Sequence, residues 1–392
     1  MVGNTWIWTA MALLATSSTL ATMPGSPVQS TNEQTPLPLL YDWVPDGTLM
    51  LEIRALHANK YTIVYQDILP KKGASGLVDK SLVLAFLRNK IPRNFKGWGM
   101  LDFEGVILNR LRKGPGNPEY EETTESLRQT LLAVKREWPG SKWAFWGLPS
   151  VRFWINDSGE NPVTWASAST QQKEREFARQ SAAFQGLLEH VDWLSPWIYD
   201  IYSTQDITNP ADRTSMIASQ KEWAQAKVAL CKRMLASRKN GLIPVIPMFC
   251  PVFAPNGNVE EPRFVPIQEF VEEVLQPTME SGVDGLSTWN GMSYRVLNAF
   301  RDTENQHQVD LREESRDRLK KLLFPNKPFD WNAPAAKTAV NNRIRSPLLQ
   351  QLQAMRKALD TLETQNEAAT PESPPSSSEQ VHSTSSPPTQ DP

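Results

Sequence analysis

Two residues with carboxyl side chains, Asp102 and Glu104, stand at the end of a mostly apolar run that begins at Trp98. Because side chains alternate along a strand, both would point to the same face if this run forms a strand. Two such neighbouring carboxyl groups, partly shielded from water, resist ionising together, so one should keep its proton near neutral pH. A carboxylic acid beside a carboxylate is what acetal cleavage requires, since one protonates the leaving oxygen and the other stabilises positive charge. The alternative is a solvated strand end in which Asp102 caps the next helix.

The chain around this pair alternates between short apolar or β-rich runs and amphipathic helical segments. The runs lie at 49–55, 61–68, 98–103, 142–148, 192–199, 242–249 and 283–289. From the second run onward, the helical segments between them fall at 77–91, 120–138 and 171–191 and around Trp223 and Ile267. This alternation predicts right-handed βαβ units and a parallel sheet of seven strands. An open dinucleotide-binding sheet is disfavoured because no glycine-rich phosphate loop follows the first run.

Aromatic side chains accompany the carboxyl pair where the predicted strands end. They are Tyr65, Trp146, Tyr199 and Trp289. A closed α/β barrel of the TIM type keeps its active site at this edge, so the pattern favours a seven-stranded barrel with a C-terminal helical extension. A place in the hydrophobic core is the competing interpretation for each aromatic residue.

A succession of sequence blocks resembles the hyaluronidase family of glycoside hydrolases. The blocks appear in the family's order and at comparable spacings over roughly residues 60–295. They are Tyr61-Thr62-Ile63-Val64-Tyr65, Leu87-Arg88-Asn89-Lys90-Ile91-Pro92, Leu101-Asp102-Phe103-Glu104, Trp143-Ala144-Phe145-Trp146-Gly147-Leu148-Pro149, Leu194-Ser195-Pro196-Trp197-Ile198-Tyr199 and Leu286-Ser287-Thr288-Trp289-Asn290-Gly291.

The resemblance implies a barrel hydrolase that cuts next to N-acetylhexosamines with retention and without an enzyme-bound nucleophile. Glu104 would be the general acid and base. Asp102 would hold the substrate's acetamido group so that its carbonyl oxygen attacks the anomeric carbon. Tyr199 would hydrogen-bond that group and Trp289 would enclose its methyl. The remaining two aromatic residues at the strand ends would line the cleft.

The sequence also departs from the family, which leaves the sugar specificity open. Pro149 is followed by Ser150-Val151-Arg152 instead of a tyrosine-rich loop with a cysteine, and the family's disulfide pattern is missing. Basic residues that suit a polyanion such as hyaluronan fall beyond strand ends, namely Lys71, Lys72, Arg110, Arg112, Lys113, Arg152 and Arg295. Acidic residues share these loops, so a mixed, solvated rim explains the same pattern.

Three functions therefore stay open. The first is a retaining endo-hydrolase of hyaluronan- or chondroitin-like polysaccharides. The second keeps the mechanism but takes chitin-like or peptidoglycan-like chains. The third is a barrel that binds glycans without cutting them, although nothing in such a module would require an acid at Glu104.

The two ends of the chain have a different composition from the predicted barrel, which spans 39–330. Residues 1–21 contain a short apolar run typical of a signal peptide or an N-terminal anchor, which predicts a secreted, periplasmic or cell-surface protein. Residues 22–38 are predicted to be a linker, and 366–392 a disordered Pro/Ser-rich tail. An amphipathic helix is expected at 346–365, beginning at Ser346-Pro347. Its heptad seam at 348–362 could mediate self-association or lie back on the barrel.

The composition excludes some partners. With 392 residues and a formal net charge of −2, the chain lacks the basic excess typical of nucleic-acid binding. Its four histidines show no spacing that suggests a shared metal, and we expect neither a metal nor another cofactor. Its two cysteines, Cys231 and Cys250, are predicted to be buried thiols rather than a disulfide.

Overall fold

Short parallel strands alternate with helices along the chain, and the helices are the longer elements. The computed structural model describes residues 36–42, 48–69, 77–155, 161–200, 202–253, 264–290 and 334–369. The strands are β1 (Leu39–Tyr41), β2 (Asn59–Lys60), β3 (Thr62–Tyr65), β4 (Trp98–Asp102), β5 (Lys142–Phe145), β6 (Trp154–Ile155), β7 (Val163–Thr164), β8 (Met248–Phe249) and β9 (Leu286–Thr288). The α-helices are α1 (Thr48–Ala55), α2 (Lys80–Lys90), α3 (Val106–Leu111), α4 (Pro118–Glu137), α5 (Thr170–Phe184), α6 (Pro210–Leu235), α7 (Ile267–Glu269), α8 (Gln276–Glu280) and α9 (Pro334–Ala369). A π-helical segment, Phe270–Leu275, joins α7 to α8.

The main strands form two parallel sheets. One sheet has the order β2-β1-β9-β8 and the other the order β3-β4-β5, while β6 and β7 form a separate antiparallel pair. Isolated parallel bridges continue from the sheet edges and join Trp146 to Ser195, Leu194 to Val245 and Trp197 to Met248. The fold is therefore a mixed α/β arrangement with parallel sheets, as the alternating pattern predicted.

The predicted single barrel sheet of seven strands is not what the described residues form, and prolines supply the reason. Pro196 lies in the predicted strand 192–199, and Pro244 and Pro247 lie in 242–249. A proline has no backbone N–H to donate to a ladder, so these segments pair through isolated bridges. Their carbonyls still accept, as from Met248 N–H to Pro196 oxygen at 2.9 Å.

The predicted first strand, 49–55, is wrong, because this segment is the helix α1. Its Leu, Met, Glu, Arg and Ala residues are good helix formers, and Leu51 is 65% exposed while Ile53 is fully buried. The strand at this place in the fold is β1, which pairs with both β2 and β9. Its three apolar residues follow a proline-rich stretch and are too few to show a period.

The predicted helices are present, with ends defined by local caps. Asn117 caps α4 and precedes Pro118, and Ser169 forms a capping box with Gln172 at the start of α5. The α5 helix ends at Phe184, short of the predicted end at 191, since the chain turns there toward the bridge at Leu194.

Alternation along the strands divides the buried apolar side chains into two clusters. On β4, Met100 joins a cluster formed mainly by strand residues, whereas Leu101 joins the larger cluster beneath the helices. We call the first the strand cluster; it comprises Leu40, Tyr61, Ile63, Met100, Ala144, Trp193, Tyr199, Ile246, Met248, Cys250 and Val252. Each large apolar side chain buried in this way stabilises the fold by roughly 1.5–3 kcal/mol.

The C-terminal helix α9 packs against the rest of the described chain. Leu348, Leu352, Met355 and Leu359 are buried, and the last three join the main core, so this seam is not free for self-association. Glu363 accepts from the Leu37 backbone N–H at 2.6 Å. The predicted helix start at Ser346 and the predicted tail start at 366 are both wrong, since α9 runs from Pro334 to Ala369 with Pro347 inside it. Packing of the apolar stripe outweighs the hydrogen bond that Pro347 gives up.

Other predictions fall partly or wholly outside the described residues. The expected signal segment 1–21, most of the linker 22–38 and residues 370–392 of the expected tail are not described. No helix among the described residues is long and apolar enough to cross a membrane. Cys231 and Cys250 are both buried free thiols, as predicted.

Candidate active site

The predicted catalytic pair lies at the carboxyl end of β4. Asp102 is the last residue of the strand, is 7% exposed, and is paired in register with Tyr65 at the end of β3. Phe103 is buried on the opposite side, so the alternation that places Asp102 beside the strand cluster also carries Glu104 to that side. The Glu104 backbone N–H donates to Gln66 Oε1 at 3.0 Å.

Gly105 sets the position of Glu104 from the other side. Its φ of 59° and ψ of −115° form a turn that a side chain would strain, and α3 begins directly after it. Glu104 thus sits between the end of β4 and a glycine turn and is half-buried.

The structure brings the four predicted aromatic residues together into one connected group. Trp289 Nε1 donates to the Tyr65 hydroxyl at 3.0 Å, and Trp146 Nε1 donates to the Tyr199 hydroxyl at 3.1 Å. The rings of Tyr199 and Trp289 stack with centroids 5.7 Å apart and an interplanar angle of 16°. Residues far apart in the sequence therefore share one wall at the strand ends, which we call the aromatic wall.

The electrostatics of the two wall tyrosines connect them to the carboxyl groups. Desolvation raises the pKa of Tyr65, and the negative charges of Asp42, Asp102 and Glu104 raise it further. Burial likewise raises the pKa of Tyr199, with Asp102 and Asp42 among the smaller causes. Both phenols therefore stay protonated near neutral pH, and the carboxyl groups act on the same wall.

Asp42 is a site residue that the sequence analysis missed. It follows β1 directly, is 9% exposed, and accepts from the Asn290 backbone N–H at 2.8 Å. Its charge reaches both wall tyrosines. Its signal in the sequence is the apolar run Leu39-Leu40-Tyr41 followed by an Asp, which parallels the run that ends in Asp102, whereas the alternating pattern predicts the first strand at 49–55.

A buried lysine supports the wall from behind. Trp197 stacks on Trp146 with centroids 6.3 Å apart and contacts Tyr199 at 5.2 Å. Lys227 Nζ lies 3.3 Å from the centre of the Trp197 ring and donates to the Trp197 carbonyl oxygen at 2.5 Å. Burial lowers the pKa of Lys227 well below its usual 10.5. In the sequence, Lys227 lies four residues after Trp223 and four residues before Cys231, so the three share one face of α6.

The basic residues beyond the strand ends are mostly bound to local carboxylates. Arg110 pairs with Glu122 at 2.6 Å, Lys113 pairs with Glu119, and Arg152 pairs with the buried Glu176 at 3.3 Å. Arg112 donates to Asn109 Oδ1, and burial together with the charge of Arg152 lowers its pKa. Lys71, Lys72 and Arg295 lie outside the described residues.

The arrangement is suited to holding a polar but uncharged group. Two carboxyl-bearing residues adjoin protonated phenols and flat indole faces at one edge of the parallel strands. The described residues contain no group of three or more His, Cys, Asp or Glu side chains that could hold a metal ion. The chemistry available to these side chains is proton transfer, hydrogen bonding and stacking.

Comparison with solved structures finds bee venom hyaluronidase, at 13% sequence identity and a TM-score of 0.42, with 73% of this chain and 96% of that chain covered. The bee venom enzyme in complex with a hyaluronic acid tetramer is similar at 16% identity and a TM-score of 0.39, with 58% and 75% covered. A GH18 chitinase from Pseudoalteromonas aurantia follows at 15% identity and a TM-score of 0.29, with 55% and 62% covered. No protein-family model matches the chain, and no curated protein matches it either. Likeness at this level identifies neither a family nor an activity.

Proposed function

We propose that the chain is a retaining endo-glycoside hydrolase that acts next to N-acetylhexosamines in a polysaccharide. The observation that carries this proposal is the aromatic wall beside Asp102 and Glu104. An acid for the leaving oxygen and a wall of phenols and indoles for a sugar are what substrate-assisted cleavage of an acetamido sugar needs.

In the proposed reaction, Glu104 donates its proton to the glycosidic oxygen while the substrate's acetamido oxygen attacks the anomeric carbon. The bond to the leaving sugar breaks, and a cyclic oxazolinium forms. Asp102 orients the acetamido N–H and stabilises its positive charge, Tyr199 hydrogen-bonds to the same group, and Trp289 encloses its methyl. Glu104, now a carboxylate, takes a proton from the water that opens the ring, which restores the acid and retains the configuration.

We infer that the two parallel sheets and the bridged segments together form an incomplete seven-segment barrel. The pairings lead from β1 to β2, which continues as β3, and then to β4 and β5. They go on through the bridges at Ser195 and Val245 to β8 and β9, and β9 pairs again with β1. A crystal structure with 192–199 away from β5 would contradict this arrangement.

The pairing of rim cations favours a second substrate class. Arg110 and Lys113 are each paired with a carboxylate, which weakens the attraction of this part of the rim for a polyanion. A neutral chitin-like N-acetylhexosamine polymer therefore ranks beside hyaluronan and chondroitin as the substrate.

The test is release of new reducing ends from hyaluronan, chondroitin and chitin oligosaccharides. We expect Glu104→Gln to reduce turnover by at least about a hundredfold, since removing a general acid costs 10²–10⁴-fold, while glycan binding persists. Asp102→Asn should also lose much of the rate. Glu280→Gln, on the exposed end of α8, is the control and should behave as wild type.

The outcomes separate the alternatives. Wild-type activity in Glu104→Gln would remove that residue from the mechanism. A folded wild type that binds glycans but cleaves none of the three polymers would make the chain a glycan-binding protein instead.

A further inference from the structure

An exposed tryptophan follows β5, in the segment after Pro149. Trp154, on β6, is 38% exposed, while its neighbours Phe153 and Ile155 are buried. Strand alternation directs the Trp154 ring away from the core that holds these two neighbours. A single exposed apolar residue is ordinary on a protein surface, so the way this ring is held matters more than its exposure.

The Trp154 ring is fixed rather than free to rotate. Its Nε1 donates to the Tyr202 hydroxyl at 2.8 Å, and the two rings meet edge to face with centroids 6.2 Å apart. Phe153 packs against both rings, with centroids 5.6 Å from Trp154 and 5.7 Å from Tyr202. A ring held in this way loses little conformational entropy when a ligand stacks on it.

The backbone that carries Trp154 is anchored as well. Trp223 Nε1 donates to the Val151 carbonyl oxygen at 2.9 Å, and the Arg152 N–H donates to the buried Glu176 at 3.1 Å. On the partner strand, Thr164 Oγ1 accepts from the buried Ser219 hydroxyl at 2.9 Å. The segment leading into β6 is therefore tied to α5 and α6, and β7 is tied to α6.

Ring contacts connect this aromatic pair with the aromatic wall. Phe153 contacts Trp223 at 5.6 Å, Trp223 contacts Trp197 at 5.4 Å, and Trp197 contacts Tyr199 at 5.2 Å. Tyr202 also follows Tyr199 closely along the chain. The pair thus lies beyond the carboxyl ends of the strands, on the side of Asp102 and Glu104, but displaced from them.

We propose that Trp154 and Tyr202 form a distal subsite that stacks against one pyranose ring of the bound polysaccharide. The proposal rests on the glycoside hydrolase function proposed above. The C–H face of a pyranose is apolar and flat, and the exposed part of the Trp154 indole is its complement. The indole N–H of Trp154 already donates to Tyr202, so it is not available to a sugar hydroxyl. The sugar would therefore contact the indole ring itself, which can stack against either a charged or a neutral sugar.

The experiment compares short and long oligosaccharides of whichever polymer the wild type cleaves. We expect Trp154→Ala to raise KM roughly fivefold for a decasaccharide and to leave KM for a tetrasaccharide and kcat unchanged. Trp154→Phe keeps a ring and should restore most of the loss. Leu242→Ala, which removes an exposed apolar side chain at the opposite ends of the strands, is the matched control and should change neither constant.

An unchanged KM for the decasaccharide in Trp154→Ala overturns the subsite, and an equal rise for both lengths shows a structural role instead. If the wild type cleaves no polymer, the hydrolase proposal fails, and calorimetric titration with hyaluronan and chitin oligosaccharides then tests the subsite. A fivefold loss of affinity in Trp154→Ala supports it without catalysis. Absence of binding to the wild type, or equal affinity of the two proteins, overturns it.

Discussion

At the residue scale, the aromatic wall orients hydrogen-bond donors toward the site. An indole N–H can only donate, so Tyr65 and Tyr199 each accept from a tryptophan and keep their own hydroxyl hydrogen to give. Their raised pKa values preserve that hydrogen throughout the neutral range. A carbonyl oxygen, such as that of an acetamido group, is the matching acceptor, which agrees with the role proposed for Tyr199.

Lys227 is the residue whose charge should respond most clearly to pH. Burial lowers its pKa well below 10.5, so between that lowered value and 10.5 the unfolded chain binds a proton that the folded chain does not. The contribution of Lys227 to stability is therefore fully present above pH 10.5 and is lost as the pH falls through the folded-state pKa.

We predict that the stability of the wild type relative to Lys227→Met increases as the pH rises toward 10.5, the usual pKa of lysine. The slope should approach about 1.4 kcal/mol per pH unit inside the window between the two pKa values. The measurement is the free energy of unfolding in urea at each pH. Lys232→Met is the matched control for loss of a lysine side chain, because Lys232 also donates to a carbonyl at 2.5 Å but is exposed. A difference between the wild type and Lys227→Met that stays constant as the pH rises would contradict the prediction.

At the element scale, the junction between β4 and α3 decides where Glu104 points. Gly105 has a φ of 59°, and a Cβ added there would meet nothing within 4 Å, so any penalty for a side chain comes from the backbone alone. Gly114, just beyond α3, has a φ of 76° and equally open surroundings. The two glycines differ in their distance along the chain from Glu104.

We predict that Gly105→Ala and Gly114→Ala each destabilise the fold by about 1–3 kcal/mol. Only Gly105→Ala should reduce kcat, because the turn that it strains positions the proposed acid. Thermal unfolding and reducing-end release from the same preparations provide both values. If the two variants were equally active, the turn at Gly105 would have no role in positioning Glu104 for catalysis.

The elements also show where sequence patterns stop being informative. Long periodic segments such as α4 could be predicted because hydrophobic period and cap residues agree there. The three residues of β1 carry no period, and its pairing with β9 is a contact that only the folded chain defines. For the same reason Asp42 was missed, whereas Tyr65, Tyr199 and Trp289 could be placed at the site because each follows a strand-like run. Lysine side chains are mostly exposed in proteins, so the residue type alone predicts that Lys227 lies at the surface, whereas it is buried.

At the scale of the whole molecule, charge is nearly balanced in total, and several described cations are paired locally. The formal net charge is −2, and the rim cations Arg110, Lys113 and Arg152 are paired with carboxylates of neighbouring helices. Paired surface charges produce little electric field at a distance. At 0.1 M salt, the remaining field is screened within about 10 Å. Recognition of a polysaccharide should then depend on stacking and short hydrogen bonds rather than on long-range attraction.

We predict that raising NaCl from about 50 to 500 mM changes KM for hyaluronan less than roughly threefold, because Arg110 and Lys113 at the rim are already paired with carboxylates. Glu122→Gln removes the exposed carboxylate that pairs with Arg110 at 2.6 Å and leaves Arg110 the longer pair with Glu119 at 3.8 Å, so the rim gains one net positive charge. This variant should lower KM for hyaluronan at low salt and make it more sensitive to salt, while KM for neutral chitin oligosaccharides stays the same. A steep salt dependence in the wild type would instead show that unpaired cations line the cleft, and would favour a polyanionic substrate over a neutral one.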